Sequence, residues 1–192
     1  DVSNNTALTE LYCPSNQITS LNVSVNTALT YLNCHSNQIT SLDVSTNTAL
    51  TVFNIGANQL THLNITNNTA LMLLICMQNQ LTSLDVSANI SLTTLWCDSN
   101  QLTSLDVRNG NNTNFTNFNA NNNPNLYCID VDNPVYSTAN WTGIDSWASF
   151  SVNCATAFGC TDSLASNFDP LATIDDSRFI YPLPPAEHHV FS

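Results

Sequence analysis

The first half of this chain consists of five near-copies of a 21-residue unit, joined head to tail. The copies begin at Asn5, Asn26, Asn47, Asn68 and Asn89. Each reads L-x-x-L-x-(C/I)-x-x-N-Q-(I/L)-T-x-L-(D/N)-(V/I), followed by a spacer that usually reads x-x-N-T-A. A fixed period of this length predicts a solenoid, in which each unit forms one coil and stacks on its neighbours. A solenoid is a scaffold, so its function is sought at the positions that vary between units.

Six positions of each coil are apolar almost without exception, and they predict one continuous core along the solenoid axis. A degenerate sixth coil continues these columns up to Val131. The columns begin at Leu8, Leu11, Cys13, Ile18, Leu21 and Val23. A further column is asparagine in every coil, and we expect its amides to bond backbone groups of neighbouring coils that would otherwise be buried unpaired. Its members are Asn16, Asn37, Asn58, Asn79, Asn100 and Asn123.

Four cysteines share one core column with Ile55, which indicates that cysteine serves there as a small apolar filler. Adjacent coils about 4.8 Å apart bring these thiols within disulfide range. Side chains that project in parallel give poor disulfide geometry, so we predict free thiols. The alternative is the two pairs Cys13–Cys34 and Cys76–Cys97.

The stretch from Leu8 to Val107 resembles leucine-rich repeats of the short bacterial class, sometimes called IRREKO, with consensus LxxLxLxxNxLxxLDLxxNxx. The segment LTYLNCHSNQITSLDVSTN, residues 29 to 47, matches every signature position, with cysteine in place of one consensus leucine. The resemblance implies a repeat solenoid: a curved, right-handed parallel β coil with a parallel sheet on its concave side. A second short strand, Ser-Leu-Asp-Val, is implied on the opposite side.

Three segments are predicted: the solenoid over residues 1–131, a C-terminal cap over 132–154, and an acidic extension with a disordered tail over 155–192. Residues 123 to 154 are similar to the closing segment of secreted leucine-rich repeat proteins of the Bacteroidetes. In that cap Cys128 and Cys154 are the expected disulfide, which fits an oxidising compartment and an extracellular or cell-surface location. Trp141, Ile144 and Trp147 recur at helical spacing, which predicts a short helix or turn over the last coil.

The extension FGCTDSLASNFDPLATIDDSRFIY, residues 158 to 181, resembles a short motif found near the C-termini of secreted Bacteroidetes proteins. The usual second cysteine falls at Phe179, so Cys160 is predicted to lack a partner and to be exposed to intermolecular pairing. Calcium is a weak expectation here and no other cofactor is predicted, because the acidic spacing matches no EF-hand loop. The candidate ligands are Asp162, Asp169, Asp175 and Asp176. We read His188 and His189 as tail residues.

Charge and composition exclude several classes of function. With two basic residues and a net charge of −12, the chain lacks the Lys and Arg that phosphate binding needs, so nucleic acid is not a predicted partner. The chain contains no run of about 18 apolar residues, so no membrane span is predicted. His35 and His62 fall on different faces, and no nucleophile with a general base is evident, so no enzyme is predicted. Asp and Asn alternate in the column of Asn22 and Asp43, which favours hydrogen bonding over acid–base chemistry.

The outward positions of the first strand vary between coils, and together they predict a recognition surface on the concave sheet, because contiguous exposed apolar groups mark interaction sites. The candidate binding residues are Tyr12, Tyr31, His35, Val52, Met72, Leu73, Ile75, Met77, Trp96 and Asp98. The expected ligand is a protein or a glycan, in adhesion or in host or substrate recognition. A glycan predicts Tyr31 and Trp96 as dominant contacts, whereas a protein predicts Leu73, Ile75 and Met77.

Two other functions remain open at this stage. A passive spacer within a larger exported protein would tolerate substitutions on the concave face. An ice-binding solenoid would use the regular threonine column on the opposite side, formed by Thr19, Thr40, Thr61, Thr82 and Thr103. The residues before Asn5 are too few to cover the first coil, so upstream sequence, a partner or another protomer is expected to do so.

Overall fold

The structure is a computed structural model that describes residues 1–166, 172, 174–175 and 180–181. The chain divides into two compact units, Asp1–Val152 and Asn153–Ser192. In the described part of the chain, no helix has the length and apolar character needed to cross a bilayer. The predicted disordered tail, with His188 and His189, lies outside the described residues.

The first unit contains a six-stranded parallel sheet with one strand from each successive coil. Its order is β1-β2-β3-β4-β6-β8, and paired residues occupy the same position of consecutive coils, as Leu32 pairs with Phe53 and Phe53 with Leu74. The strands are β1 (Glu10–Tyr12), β2 (Tyr31–Asn33), β3 (Val52–Asn54), β4 (Leu73–Ile75), β6 (Thr94–Trp96) and β8 (Asn117–Asn119). The predicted parallel β-solenoid is therefore confirmed.

A second parallel sheet follows the order β10-β9-β7-β5. Its strands are β5 (Ser83–Asp85), β7 (Ser104–Asp106), β9 (Cys128–Asp130) and β10 (Ser149–Ser151). The predicted Ser-Leu-Asp strand is thus present in the fourth and fifth coils, whereas the equivalent residues of the first three coils form no strand. Leu84 and Leu105, at the centres of paired strands, are buried, whereas Leu42 remains half-buried.

The predicted apolar columns form one core, and from the second coil onward most of their side chains are 0–2% exposed. The first coil is the exception, because it has a neighbour on one side only. Its Leu8, Leu11, Ile18 and Leu21 are half-buried against the core. The thiols of Cys13, Cys34, Cys76 and Cys97 are free, as predicted.

The asparagine column bonds backbone groups of adjacent coils, as the sequence predicts. Asn37 illustrates the pattern: its Oδ1 accepts from Ile18 N at 3.0 Å, and its Nδ2 donates to Cys13 O at 3.0 Å and Cys34 O at 2.9 Å. The residue before each ladder asparagine has φ between 50° and 57°, so the chain turns there through the left-handed region without glycine. These residues are Ser15, Ser36, Ala57, Gln78, Ser99 and Asn122.

A second asparagine ladder was not predicted. It uses the first residue of each repeat unit, and Asn47 donates from Nδ2 to Val23 O at 3.0 Å and to Asn26 O at 2.8 Å. The fully buried members are Asn26, Asn47, Asn68 and Asn89. Their repetition marks the start of each unit in the sequence, but the repetition alone does not reveal the hydrogen bonds.

The last coil is covered by an aromatic cluster. Trp141 stacks on Phe118 with ring centroids 4.3 Å apart and contacts Phe115 and Phe150. Of the predicted helix or turn over Trp141 to Trp147, a turn is present at Ser146 and Trp147, where Asp145 O accepts from Ala148 N at 2.9 Å. The helix α1 (Pro134–Asn140) ends before Trp141. Pro134 begins α1, and the Asn133 side chain caps it by accepting from Tyr136 N.

The segment after α1 is hydrogen-bonded to the last coil. Gly143 O accepts from Ala120 N at 2.7 Å, and a Cβ on Gly143 would lie 2.4 Å from Phe118 O, so this approach requires glycine. Ile144 contacts the core, whereas Trp147 is 49% exposed. A 3-10 turn over Asn112–Asn114 precedes β8.

The predicted disulfide between Cys128 and Cys154 is present at the C-terminal end. In the second unit, helix α2 (Cys154–Ala157) precedes a parallel pair of short strands, β11 (Phe158–Gly159) and β12 (Ile174–Asp175). Cys160 has a free thiol, as expected, but it is 2% exposed. The prediction that it is exposed to intermolecular pairing is therefore wrong, because burial shields the sulfur.

Candidate functional site

Strand alternation places eight of the predicted binding residues on or beside the outward face of the six-stranded sheet. In β4, Leu74 points into the core, so Leu73 and Ile75 point outward. We call this group the sheet patch. Its members are Tyr12, Tyr31, Val52, Met72, Leu73, Ile75, Met77 and Trp96.

The strand register concentrates the sheet patch around β4. Leu73 pairs with Val52 on one side, and Ile75 pairs with Trp96 on the other. Paired residues of neighbouring strands are about 4.8 Å apart, so their side chains touch. Met72, directly before β4, is 52% exposed and Trp96 is 37% exposed. These residues form a contiguous apolar surface.

A second group lies at the N-terminal end of the patch. Tyr12 is 69% exposed, and its ring centroid lies 6.5 Å from that of Tyr31. The column between Tyr12 and Ile75 is occupied by Asn33 and Asn54, whose Oδ1 atoms accept from the N–H groups two residues on, each at 3.1 Å. These asparagines therefore stabilise turns, and only the Tyr31–Val52 pairing connects the two groups.

The predicted loop-side residues His35 and Met77 lean over Gly56. A Cβ on Gly56 would lie 3.2 Å from His35 Cδ2 and 3.3 Å from Met77 Cγ. His35 Nδ1 is 2.7 Å from the hydroxyl of Ser36. The fifth-coil residue, Asp98, accepts from Ser99 Oγ at 3.2 Å, and its Oδ1 is buried with no partner among the described residues.

The face of the six-stranded sheet is almost uncharged. At the outward positions of its six strands, Glu10 is the one charged side chain. Three of the 14 acidic residues lie instead on the second sheet, where Asp85, Asp106 and Asp130 occupy one register position of adjacent strands. Arg108 lies there too, so the sheet patch carries little of the net charge of −12.

Arg108 lies against this row of carboxylates. Its Nη2 is 2.6 Å from Asp106 Oδ2 and its Nη1 is 3.7 Å from Asp130 Oδ1. Burial raises the pKa of Asp106, but hydrogen bonds from Arg108 outweigh it and hold that pKa below its usual range. The predicted hydrogen-bonding role of this column is confirmed, since Asp43 Oδ1 accepts from Ser45 N at 2.9 Å and Asn64 Oδ1 from Thr66 N at 3.1 Å.

The threonine column is exposed in all five coils. The preceding glutamine column, which includes Gln59 and Gln80, is equally exposed. This side of the solenoid is a regular polar surface without the variation seen in the sheet patch. His62 is the one departure from serine in the column that follows the threonines, and its Nδ1 is 3.0 Å from Thr61 Oγ1.

The calcium candidates are only partly described. The side chain of Asp162 accepts from Leu164 N at 2.8 Å and from the Tyr181 hydroxyl at 2.7 Å. Asp169, Asp176 and the side chain of Asp175 lie outside the described residues. Calcium binding therefore stays a prediction.

Similarity to known structures agrees with this geometry. The functional domain of InlJ from Listeria monocytogenes, described as including a cysteine ladder, is 35% identical over 68% of this chain, with a TM-score of 0.51. An internalin of the same species, InlF, is 26% identical over 79% of the chain, with a TM-score of 0.53. The chain has a bacterial leucine-rich repeat fold. This leucine-rich repeat chain spans only 36% and 46% of the lengths of those two structures.

A leucine-rich repeat protein of Leptospira interrogans shares the fold at 22% identity over 78% of this chain, with a TM-score of 0.53, and the chain spans 38% of its length. No protein-family model matches the sequence. No curated protein sequence matches it either. The similarity thus establishes the repeat fold.

Proposed function

We propose that this leucine-rich repeat chain is a non-catalytic recognition module that binds a protein or glycan through the sheet patch. Its setting is the cell surface or the extracellular medium, as in the secreted short-repeat proteins of the Bacteroidetes, and its role is adhesion or host or substrate recognition. The observation that carries the proposal is the contiguous apolar surface around β4, on a face that is nearly free of charge although the chain has a net charge of −12.

The exposed apolar area of the sheet patch supports the proposal. Soluble proteins seldom leave adjacent Leu, Ile, Met and Trp side chains at the surface unless a ligand covers them. Among the sheet-patch residues around β4, Met72 and Trp96 are the most exposed. Burying such a side chain completely contributes about 1.5–3 kcal/mol, so a few of them supply the anchoring contacts typical of interfaces.

The arrangement favours a protein over a glycan as the ligand of this patch. Sugars need hydrogen-bonding side chains beside an aromatic ring. Trp96 pairs with aliphatic Ile75 on one side and with Asn119 on the other, and the Oδ1 of Asn119 already accepts from Asn121 N and Nδ2. The Oδ1 atoms of Asn33 and Asn54 already accept backbone N–H groups. An apolar protein segment would find contacts at Leu73, Ile75 and Met77 without unpaired polar groups.

A paired binding screen tests the proposal. A glycan array and a library of purified surface proteins would be probed with the wild type and with a sheet variant, Tyr31→Ser/Leu73→Ser/Ile75→Ser/Trp96→Ser. The matched control replaces four exposed glutamines on the opposite side, at positions 38, 59, 80 and 101, with serine. Circular dichroism and thermal unfolding would establish that all three proteins are folded.

We expect the wild type and the glutamine control to bind the same ligand, and the sheet variant to bind at least about 100-fold more weakly. Equal binding by all three proteins would overturn the assignment of the site. A ligand whose binding survives Leu73→Ala but not Trp96→Ala would identify a glycan. If no ligand binds, the spacer becomes the better function, and ice-crystal shaping by the wild type against Thr61→Leu tests the threonine side.

A further inference from the structure

A second candidate site lies at the C-terminal end of the solenoid. It is a cleft of about 320 Å³ between β8 and the end of α1, and none of the residues of the sheet patch line it. One wall includes Thr116 and Asn117, and the other includes Tyr136, Asn140 and Thr142. No residue lining the cleft is acidic or basic.

The polar groups of this cleft have unused hydrogen-bonding capacity. Asn140 Nδ2 donates to Tyr136 O at 2.8 Å, and its Oδ1 has no hydrogen bond within the described chain. The Tyr136 hydroxyl donates to Thr113 O at 3.1 Å, which leaves its oxygen lone pairs to accept. Asn117 makes only a long side-chain contact, 3.4 Å to Thr116 Oγ1. The cleft therefore offers both donors and acceptors.

Trp141, which also lines the cleft, forms an aromatic wall. The residue is 5% exposed and its ring is held against Phe118. Its indole Nε1 is buried with no hydrogen-bond partner among the described residues, so it is enclosed and does not offer its N–H to a ligand in the cleft. A ligand would instead lie beside the ring and make its hydrogen bonds to the polar side chains of the two walls.

We infer that this cleft binds a neutral carbohydrate, with one sugar residue held by Asn117, Asn140 and the Tyr136 hydroxyl beside the Trp141 ring. Sugar hydroxyls both donate and accept, and so they match amide and hydroxyl side chains. A charged ligand would lose its hydration without a counter-charge, and an apolar one would bury the unpaired groups. The volume lies at the small end of ligand pockets, which suits a single ring. This inference does not depend on the sheet patch.

The indole proton of Trp141 is a direct reporter. In 1H–15N spectra the indole resonances of the wild type are assigned by comparison with Trp141→Phe, and the protein is titrated with D-glucose, D-galactose, D-mannose and N-acetyl-D-glucosamine. We expect a saturable shift of the Trp141 resonance with at least one sugar. Because a single ring has few atoms, its Kd should be about 1–10 mM.

Matched variants show whether the cleft is responsible. We expect Asn117→Ala and Asn140→Ala each to weaken binding about 3- to 10-fold, while Asn125→Ala, an exposed asparagine that does not line the cleft, leaves it unchanged. The sheet variant should bind the sugar normally, which separates this test from that of the proposed function. The inference is overturned if no sugar gives a saturable shift up to about 100 mM, or if all variants bind equally.

Discussion

At the residue scale, buried asparagine amides connect each coil to the one before it. Asn58 donates to Cys34 O, Ile55 O and Gly56 O, each at 3.1 Å, and accepts from Ile39 N at 3.0 Å. A primary amide combines two N–H donors with an acceptor, which neither aspartate nor leucine does. This chemistry explains why the position is asparagine in every coil.

Replacement of Asn58 by alanine should be strongly destabilising, because Ile39 N–H would stay buried without an acceptor, whereas Cys34 O would keep the bond from Asn37 Nδ2. An unpaired buried group costs about 1–3 kcal/mol and each lost hydrogen bond about 0.5–1.5 kcal/mol, so we expect Asn58→Ala to lower the free energy of unfolding by about 2–5 kcal/mol in urea titrations. Asn16→Ala, at an exposed position of the same column, should cost less than about 1 kcal/mol. Equal losses would contradict the role of the ladder.

The ladder cysteines should differ in reactivity according to their burial. Burial raises the pKa of the Cys34 thiol to about 12, with a further contribution from Cys13, and burial with the nearby Asp98 raises that of Cys76 to about 12. The thiolate is the reactive form and exists only as pH approaches the pKa. Between pH 7 and 9 we expect iodoacetamide to label half-buried Cys13 before Cys34 and Cys76, as measured by peptide mass spectrometry. In urea all three should react alike.

At the element scale, the turn before each ladder asparagine is a repeated source of strain. Ala57 has φ of 50°, a conformation that costs a residue with a Cβ about 1–2 kcal/mol. Glycine removes that cost but loses about 0.5–1 kcal/mol of backbone entropy. The conformational strain that glycine removes is therefore larger than the backbone entropy that it loses.

Ala57→Gly should therefore raise the free energy of unfolding by about 0.5–1 kcal/mol. Ala49, which is outside the left-handed region, is the matched control, and Ala49→Gly should lower stability instead. Urea unfolding of both variants is the measurement. Stabilisation by both substitutions, or by neither, would show that the left-handed turns are not strained.

The second sheet carries a pH-dependent contribution from Arg108. Because Arg108 depresses the folded-state pKa of Asp106, the pair stabilises the fold above the unfolded pKa, and this stability is lost as pH falls through the lower folded-state value. The Arg108 and Asp106 side chains are 40% and 21% exposed, so solvent screens the pair and we expect Arg108→Ala to cost less than about 1 kcal/mol at pH 7. The difference should vanish near pH 2 and shrink in high salt, in urea titrations against the wild type.

The elements that the sequence predicted are those in which the same contact recurs every 21 residues. Leu32 pairs with Phe53 and Phe53 with Leu74, so residues at the same position of successive repeats contact one another. A repeated sequence position therefore predicts a repeated contact. Beyond the fifth coil the regular repeat ends, and it no longer predicts contacts. The helix that begins at Pro134 and the stacking of Trp141 on Phe118 depend on contacts between segments that do not repeat, and the spacing of the aromatic residues did not indicate that helix.

The candidate sites show the same limit. Alternation along the strands placed Leu73 and Ile75 outward, as the structure has them. The turn-stabilising bonds of Asn33 and Asn54 divide the surface, and these bonds depend on backbone geometry that a column of letters does not contain. The polar cleft was missed because its walls come from β8 and α1, which no repeat relates.

At the scale of the whole molecule, the last coil of the solenoid is covered. The Trp141 cluster packs against it, and the disulfide between Cys128 and Cys154 follows in the chain. Repeat arrays owe their stability to contacts between neighbours, so a terminal coil relies on its cover.

Removal of that disulfide should destabilise the chain measurably. It closes a loop of 25 intervening residues, 129 to 153, and the chain-entropy relation gives about 3 kcal/mol. We expect Cys128→Ala/Cys154→Ala to lower the unfolding free energy by that amount, and a reductant to do the same to the wild type. The reductant should not affect the double variant. An unchanged midpoint after reduction would contradict this contribution.

The constant register between coils has a geometrical consequence. In the six-stranded sheet every coil pairs with its neighbours at the same positions, so equivalent residues repeat along the solenoid about every 4.8 Å. Insertion or deletion of one 21-residue unit would change the distance between the polar cleft and Tyr12 by about 4.8 Å without altering either site. The span between two attachment points on a rigid ligand is therefore adjusted by copy number, a change that duplication of a gene segment makes in one step.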